Sequence, residues 1–425
     1  MRCLYIVAET PISPHCRGGG GAVCYEQLAA IHALGHEIAL WHYAYRDVRP
    51  HFDEFVRGDE STWTTVRSMC SSVHLSNYDR MAGLSMRVRG KLANWRSRTR
   101  LRVNNPVLRL SAFDDMRRLL RDTDSDFIWA QHFGPAQVAL LQSDVPVVYS
   151  HGDWLYRIKA LAANTSQNDR LRANEEEVAR RAAVVASGSA VECKELTALG
   201  CKEVHYLPVS FTPIDWDPAV RARVTPRIVH LGGFTTTATR LGMERFLSVV
   251  WPSFATSGIE LLVVGDLRGA SEKLRDALAT ATCTGYQANL SEFLRPYDIH
   301  VIPWEHATGQ RTRLPLAFNH GQVVVATRAA VQCYPEAING VNCRLVDELS
   351  EMPAAIAELV AHPQLREQLG RAARETFERY FVREQLLPRY SAAIAAATTR
   401  VTLKSASVLQ KSVDGWHSTI ALELK

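Results

Sequence analysis

No apolar run in this 425-residue chain approaches the roughly 18 residues that a membrane-spanning helix needs. The opening MRCLYIVAETP places only a few apolar residues before Glu9, too few for the core of a signal peptide. The expectation is a cytoplasmic protein, soluble or held at a membrane only peripherally on its inner face. Paired cysteines are missing as well. Cys3, Cys16, Cys24, Cys70, Cys193, Cys201, Cys283, Cys333 and Cys343 are odd in number and scattered, with no CxxC spacing, so zinc and redox motifs lack support. Reduced, buried thiols in a reducing compartment account for them. There is no GxSxG elbow, which removes the usual signal of a hydrolase triad. Charge of one sign is scarce: the formal net charge is +5, enough to suit an anionic ligand or membrane surface and too little to imply nucleic acid.

What is present is ordinary globular material, 47% apolar and 22% charged, sufficient for sizeable cores. At about 150 residues per domain the length predicts two or three domains. Strand and helix signals alternate from the start. Leu4 to Ala8 reads as a buried strand, Gly18 to Gly21 as a glycine turn, and Leu28, Ile31 and Leu34 as a helical stripe stopped by Gly35. Ile38 to Trp41 is the next strand, completing a βαβ unit and implying a parallel sheet. Short strands follow at Phe127 to Gln131, Pro146 to Ser150 and Ala183 to Ser187. Pro208, Pro213, Pro218 and Pro226 break the pattern and predict a linker over 208–226. The alternation restarts with strands at Arg227 to Leu231, Leu261 to Val264, His300 to Pro303 and Val323 to Ala326. The predicted organisation is a first α/β domain over 1–207, a second over 227–380, a helix over 381–400 that crosses back to the first domain, and a tail over 401–425. Ligands of such sheets bind beyond the carboxyl ends of the strands, which places the site in the cleft between two facing domains.

The stretch 80–121 is different. Arg87, Arg89, Lys91, Arg96, Arg98, Arg100 and Arg102 alternate with Leu84, Val88, Leu92, Trp95 and Leu101. A basic amphipathic helix over 84–102 can lie on an anionic membrane, and it can equally be a solvated face packed on its own domain.

Three constellations suggest chemistry. The glycine run lets backbone amides approach a phosphate or sugar closely. A dinucleotide fingerprint fails there, because Val23 stands where the third glycine belongs. Thr308-Gly309-Gln310-Arg311-Thr312-Arg313 follows a strand end, and its two guanidinium groups suit a diphosphate. His132, His151 and Asp153 lie at or just after strand ends of the first domain, where imidazole can donate to phosphate or sugar and a carboxylate can act as base. Asp122, Asp124 and Asp126 precede a strand and fit a solvated turn, so no metal is expected.

From these residues the chain resembles family-four-like glycosyltransferases, the glycosyl transferases group 1, with the GT-B architecture. The resemblance runs over about residues 1 to 395 by element order. It rests on GGGGAVCYEQLAAIHALGHEIAL, VVYSHGDW, RIVHLGGF, CTGYQANLSEFL and GQRTRLPLAFNHGQVVVAT. It implies two facing Rossmann-like domains and transfer of a sugar from a nucleotide-sugar donor to a glycan, glycolipid or small-molecule acceptor, with no metal or other cofactor. Gly19, Gly20, Gly233, Arg240, Gly285, Tyr286, Gly309, Arg311, Thr312 and Arg313 would then bind the donor. His151 and Asp153 would be catalytic, and His132 would face the acceptor. The chain departs from the family pattern where a glutamate pair spaced E-x7-E is usual, since Thr308 and Leu316 stand there. TTTATR replaces the basic residues usual after the first strand of the donor domain, with Arg240 as a substitute. These departures keep two alternatives open: a catalytically degenerate relative that binds a glycan or protein partner, and a GT-B-fold sugar-nucleotide epimerase.

Overall fold

The computed structural model describes residues 1–14, 19–44, 60–78, 112–162, 166–221 and 225–399. Gly18, Cys16, the basic stretch 84–102 and the tail 401–425 fall outside the described residues.

Two all-parallel sheets organise the chain. The first takes β1 (Arg2–Ala8), β2 (Glu37–Ala44), β3 (Ser72–Asn77), β4 (Phe127–Gln131), β5 (Val147–His151), β6 (Val184–Ser187) and β7 (Val204–Tyr206), in the order β3-β2-β1-β4-β5-β6-β7. The second takes β8 (Ile228–Leu231), β9 (Leu261–Val264), β10 (Thr282–Gly285), β11 (Ile299–Ile302), β12 (Val323–Thr327) and β13 (Cys343–Val346), in the order β10-β9-β8-β11-β12-β13. Each order reverses once, between β1 and β4 and between β8 and β11, which opens a crevice at the carboxyl end of each sheet. The central strands are apolar runs because helices cover both faces, and every residue of β4, β5 and β12 is buried. Register is in phase across the first sheet, with Leu4 opposite Ala39 on one side and Ile128 on the other.

Two elements differ from the sequence expectation. The glycines are not a turn before the first helix. Gly19, Gly20 and Gly21 form the first turn of the helix Gly19–Ala33, so their unsatisfied amides point along its axis toward the cleft. The proline segment is no loose linker. It contains the short helix Pro218–Arg221, buries Val209 and Phe211, and hydrogen-bonds Ile214 N–H to Asn319 Oδ1 at 3.1 Å. The last helix, over 383–399, lies on the first sheet. Leu386, Tyr390, Ala393, Ile394 and Ala397 join the core cluster of Tyr5, Leu28 and Trp129, with the Tyr390 ring 5.8 Å from that of Trp129. Arg383 donates to buried Glu26 at 2.8 Å and fastens the same helix at its start.

No helix among the described residues is long and apolar enough to cross a membrane.

Candidate functional site

The two crevices face each other and enclose a cavity of about 510 Å³. Of the residues anticipated as donor ligands, Gly19, Gly233, Tyr286, Thr312 and Arg313 line it. Arg313 begins the helix Arg313–Asn319 and points back toward the glycine turn after β8, its Cδ within 3.8 Å of where a Gly232 side chain would start. Its Nη2 donates to Thr239 Oγ1 at 3.1 Å, while Nη1 is buried without a partner. Burial, with the neighbouring Arg311 adding to it, pushes the guanidinium down to about 9, which still leaves it charged at neutral pH. His230 and His300 lie beneath it, fully buried and pushed toward their neutral forms chiefly by that burial.

Arg311 sits deeper in the interface. Its Nη2 donates to Thr308 O and Oγ1, both at 2.7 Å, and the guanidinium lies 5.3 Å from the Trp304 ring centroid. Its Nε has no partner.

Where the loops meet, the approach is so close that side chains are excluded. A methyl group added at Gly19 would overlap Thr312, one at Gly188 would overlap Gln310, and one at Gly309 would overlap the Asp153 carboxylate. Gly309 also has φ 58°, a conformation that suits glycine. Asp153 is therefore pressed against the Gly309–Arg311 loop. Burial raises its carboxyl above the usual range, Glu192 raises it further, and Arg311 opposes both. A carboxyl raised in this way beside a cleft has the chemistry to accept a proton near neutral pH.

His151 ends β5 and is 1% exposed, its ring 4.6 Å from that of Trp154. His132 follows β4 with φ 65° and ψ 176°, a region almost reserved for glycine. Its ring packs against two glycines of the site: Nδ1 is 2.8 Å from where a Gly152 side chain would start, and Nε2 is 3.9 Å from the same point on Gly20. Burial, and secondarily His151, lowers the His132 imidazole to about 4, so it is neutral at physiological pH.

Two anticipated residues stand elsewhere. Arg240 does not line the cavity; one turn along its helix it pairs with Glu244 at 3.5 Å. The helix phase presents Thr239 to Arg313 instead, and Thr236 Oγ1 donates to Thr239 Oγ1 at 2.8 Å. Gly285 is one residue short of the cavity, its carbonyl accepting from Gly265 N–H at 2.9 Å, and it hands the position to Tyr286. Leu316 lines the wall where the resemblance would place a glutamate. Glu192, which no motif singled out, lies between His151 and Gly309.

The helix Leu155–Ala162, which follows Asp153, starts on a buried acid. Glu175 Oε1 accepts from Leu155 N–H at 2.9 Å and Oε2 from Tyr156 N–H at 3.0 Å. Burial outweighs these bonds and raises Glu175 from 4.5 to about 7. A raised acid stabilises the fold fully below its unfolded value, and that contribution is lost as pH rises through the folded one. The unfolding free energy should therefore fall between pH 4.5 and about 7 through this group. Denaturant titrations across that window should show the slope in the native chain and a flatter one in Glu175→Gln.

Residues 225–362 match the model of the family described as glycosyl transferases group 1. No curated protein sequence matches the chain. Similar solved structures include HepE from Anabaena in complex with UDP and glucose, at 14% identity and TM-score 0.61, covering 93% of this chain and 100% of that one. Sucrose-phosphate synthase from Thermosynechococcus elongatus is 15% identical with TM-score 0.64, covering 96% and 100%. TarM is 10% identical with TM-score 0.66, covering 92% and 98%. The two parallel-sheet domains with a cleft between them are the GT-B fold.

Proposed function

We propose that this chain is a glycosyltransferase that moves a sugar from a nucleotide-sugar donor to a glycan, glycolipid or small-molecule acceptor without a metal ion. One observation carries the reading. Arg311 and Arg313 face the interface with unsatisfied nitrogens, and among the described residues no carboxylate pairs with either within 4.0 Å. Asp153 offsets the Arg311 charge in part, whereas Arg313 has no acid partner among the described residues; a buried charge of that kind is costly, and a diphosphate is the anion that would satisfy it. The HepE structures that contain UDP and UDP-glucose have the same fold and support a nucleotide-sugar in the cleft.

In this reading Tyr286 stacks on the base at the cavity mouth, and the Gly19 amide with Arg313 holds the diphosphate. The bond from the anomeric carbon to the diphosphate oxygen breaks, and the leaving charge is stabilised by the two arginines. In an inverting reaction Asp153 takes the proton of the acceptor hydroxyl as its oxygen attacks. His132, neutral and strained, faces the acceptor side. A retaining reaction leaves Asp153 without that task.

Calorimetric titration with a panel of nucleotide sugars, followed by assay of donor hydrolysis, tests the proposal. One nucleotide sugar should bind and be consumed, with turnover persisting in EDTA. Failure of every nucleoside diphosphate to bind would sink the idea. Leu316 on the cavity wall favours a second reading, a relative that has kept binding and lost transfer; it expects nucleotide binding with no consumption of donor. An epimerase would instead release an epimerised sugar.

A further inference from the structure

A buried acid beside the proposed transfer site is left without a task by the scheme above. Glu192 is 3% exposed. It is the third residue of the helix Ala190–Ala198, and its N–H donates to the N-cap Ser189 Oγ at 3.2 Å. In a capping box its carboxylate would return to the Ser189 N–H. That N–H donates instead to Ser187 Oγ at 3.2 Å, and the carboxylate turns away toward the cleft. Oε2 lies 3.3 Å from His151 Nδ1 and accepts the Ser187 hydroxyl at 3.5 Å. Oε1 accepts the Gly309 N–H of the other domain at 3.3 Å. Among the described residues no lysine or arginine pairs with Glu192, so neither capping nor an ion pair accounts for an acid buried here.

Building on the glycosyltransferase reading, we propose that Glu192 is a positioning residue that holds the His151 ring with its Nδ1 proton toward Oε2 and fastens that ring to the Gly309 amide as the domains close. An ionised carboxylate only accepts hydrogen bonds, so the ring nitrogen facing it must carry the proton. With its ring proton on Nδ1, His151 then presents a lone pair on Nε2. That atom is buried and has no partner. It is an acceptor for a hydroxyl of the transferred sugar. The opposite tautomer would set a lone pair against a carboxylate in a buried site and leave both unsatisfied. The Nδ1 contact has the length of a hydrogen bond and not yet its alignment; contacts of this type tighten as substrate closes over them. The Gly309 bond gives the same carboxylate a hold on the loop that carries Arg311, so ring orientation and loop position are set together.

The test uses the full chain, ring-labelled histidine, UDP and a nucleotide-sugar panel. Nitrogen shifts of His151 should report the Nδ1–H form. In Glu192→Gln the amide can donate to Nδ1 while its oxygen still accepts from Gly309, so the ring should switch to Nε2–H. Turnover should then fall on the order of 10²-fold, with UDP affinity unchanged, since Glu192 does not line the 510 Å³ cavity. Glu192→Asp should restore the Nδ1–H form and part of the turnover. An Nε2–H ring in the native chain overturns the proposal. So does Glu192→Gln with native turnover, or with UDP affinity falling in step with turnover. If no nucleotide sugar is bound or consumed, the glycosyltransferase reading fails by itself, and the tautomer of His151 still decides this inference.

Discussion

Arg313→Ala is expected to weaken UDP binding by on the order of 10²-fold, because it removes a charge-assisted bond of about 1.5–3 kcal/mol to the diphosphate. Arg313 is anchored on one side only, by Thr239, and its other terminal nitrogen is unsatisfied, so the group is held ready for a partner rather than committed to one. Arg313→Lys keeps a point charge but loses the planar fork, and should recover only part of the affinity. The fold should tolerate Arg313→Ala, since the apoprotein loses a buried charge repelled by Arg311. Isothermal calorimetry with UDP checks the first effect and thermal melting the second. Native affinity in Arg313→Ala would move the diphosphate seat elsewhere.

The second large effect concerns stability alone. Asp298 is fully buried at the amino end of β11, where Arg227 donates to its Oδ2 through Nε at 2.9 Å and Nη2 at 2.7 Å. The Arg227 backbone N–H also donates to Oδ1 at 2.9 Å. This pair joins β8 to β11, the two middle strands of the second sheet, at the end away from the cleft. Asp298→Ala would strand the guanidinium in the core and should cost about 3–5 kcal/mol. For a domain of this size that lowers the melting temperature by on the order of 10 °C. Replacing both partners together, as Arg227→Met with Asp298→Leu, should recover much of the loss, because the penalty lies in the unpaired charge. Denaturant titration of the three variants checks the order. Melting of Asp298→Ala at the native temperature would show that water reaches Arg227 and relieves it.

How much of this was visible in the chain follows from the range of each interaction. The parallel strands were legible because burial on both faces leaves continuous apolar runs such as Leu261 to Val264. Arg313 and Gly19 were legible because strand ends in such sheets point at the cleft. Arg240 was misplaced because a single arginine near a helix start does not reveal the helix phase, and that phase gave the position to Thr239. Glu192 was hidden for a different reason. Ser189-x-x-Glu192 spells a local capping signal, while the partners that define its position, His151 and Gly309, are distant in the chain, Gly309 by 117 residues. The grip of the proline segment was equally unreadable, since Asn319 and Arg374, which hold its carbonyls at Thr212 and Ile214, lie more than 100 residues away.

The chain passes between the domains twice, once near Phe211 and again near Phe381, and the two passages are hydrogen-bonded to each other, Phe211 N–H to Phe381 O at 3.0 Å. Two passages bonded to each other act as one connection between the domains rather than as two independent strings. The second passage also carries the helix over 383–399 into the core of the first domain, so that domain is assembled from both ends of the chain. A fragment stopping at residue 207 would lack Leu386, Tyr390 and Ile394, and with them one wall of its own interior.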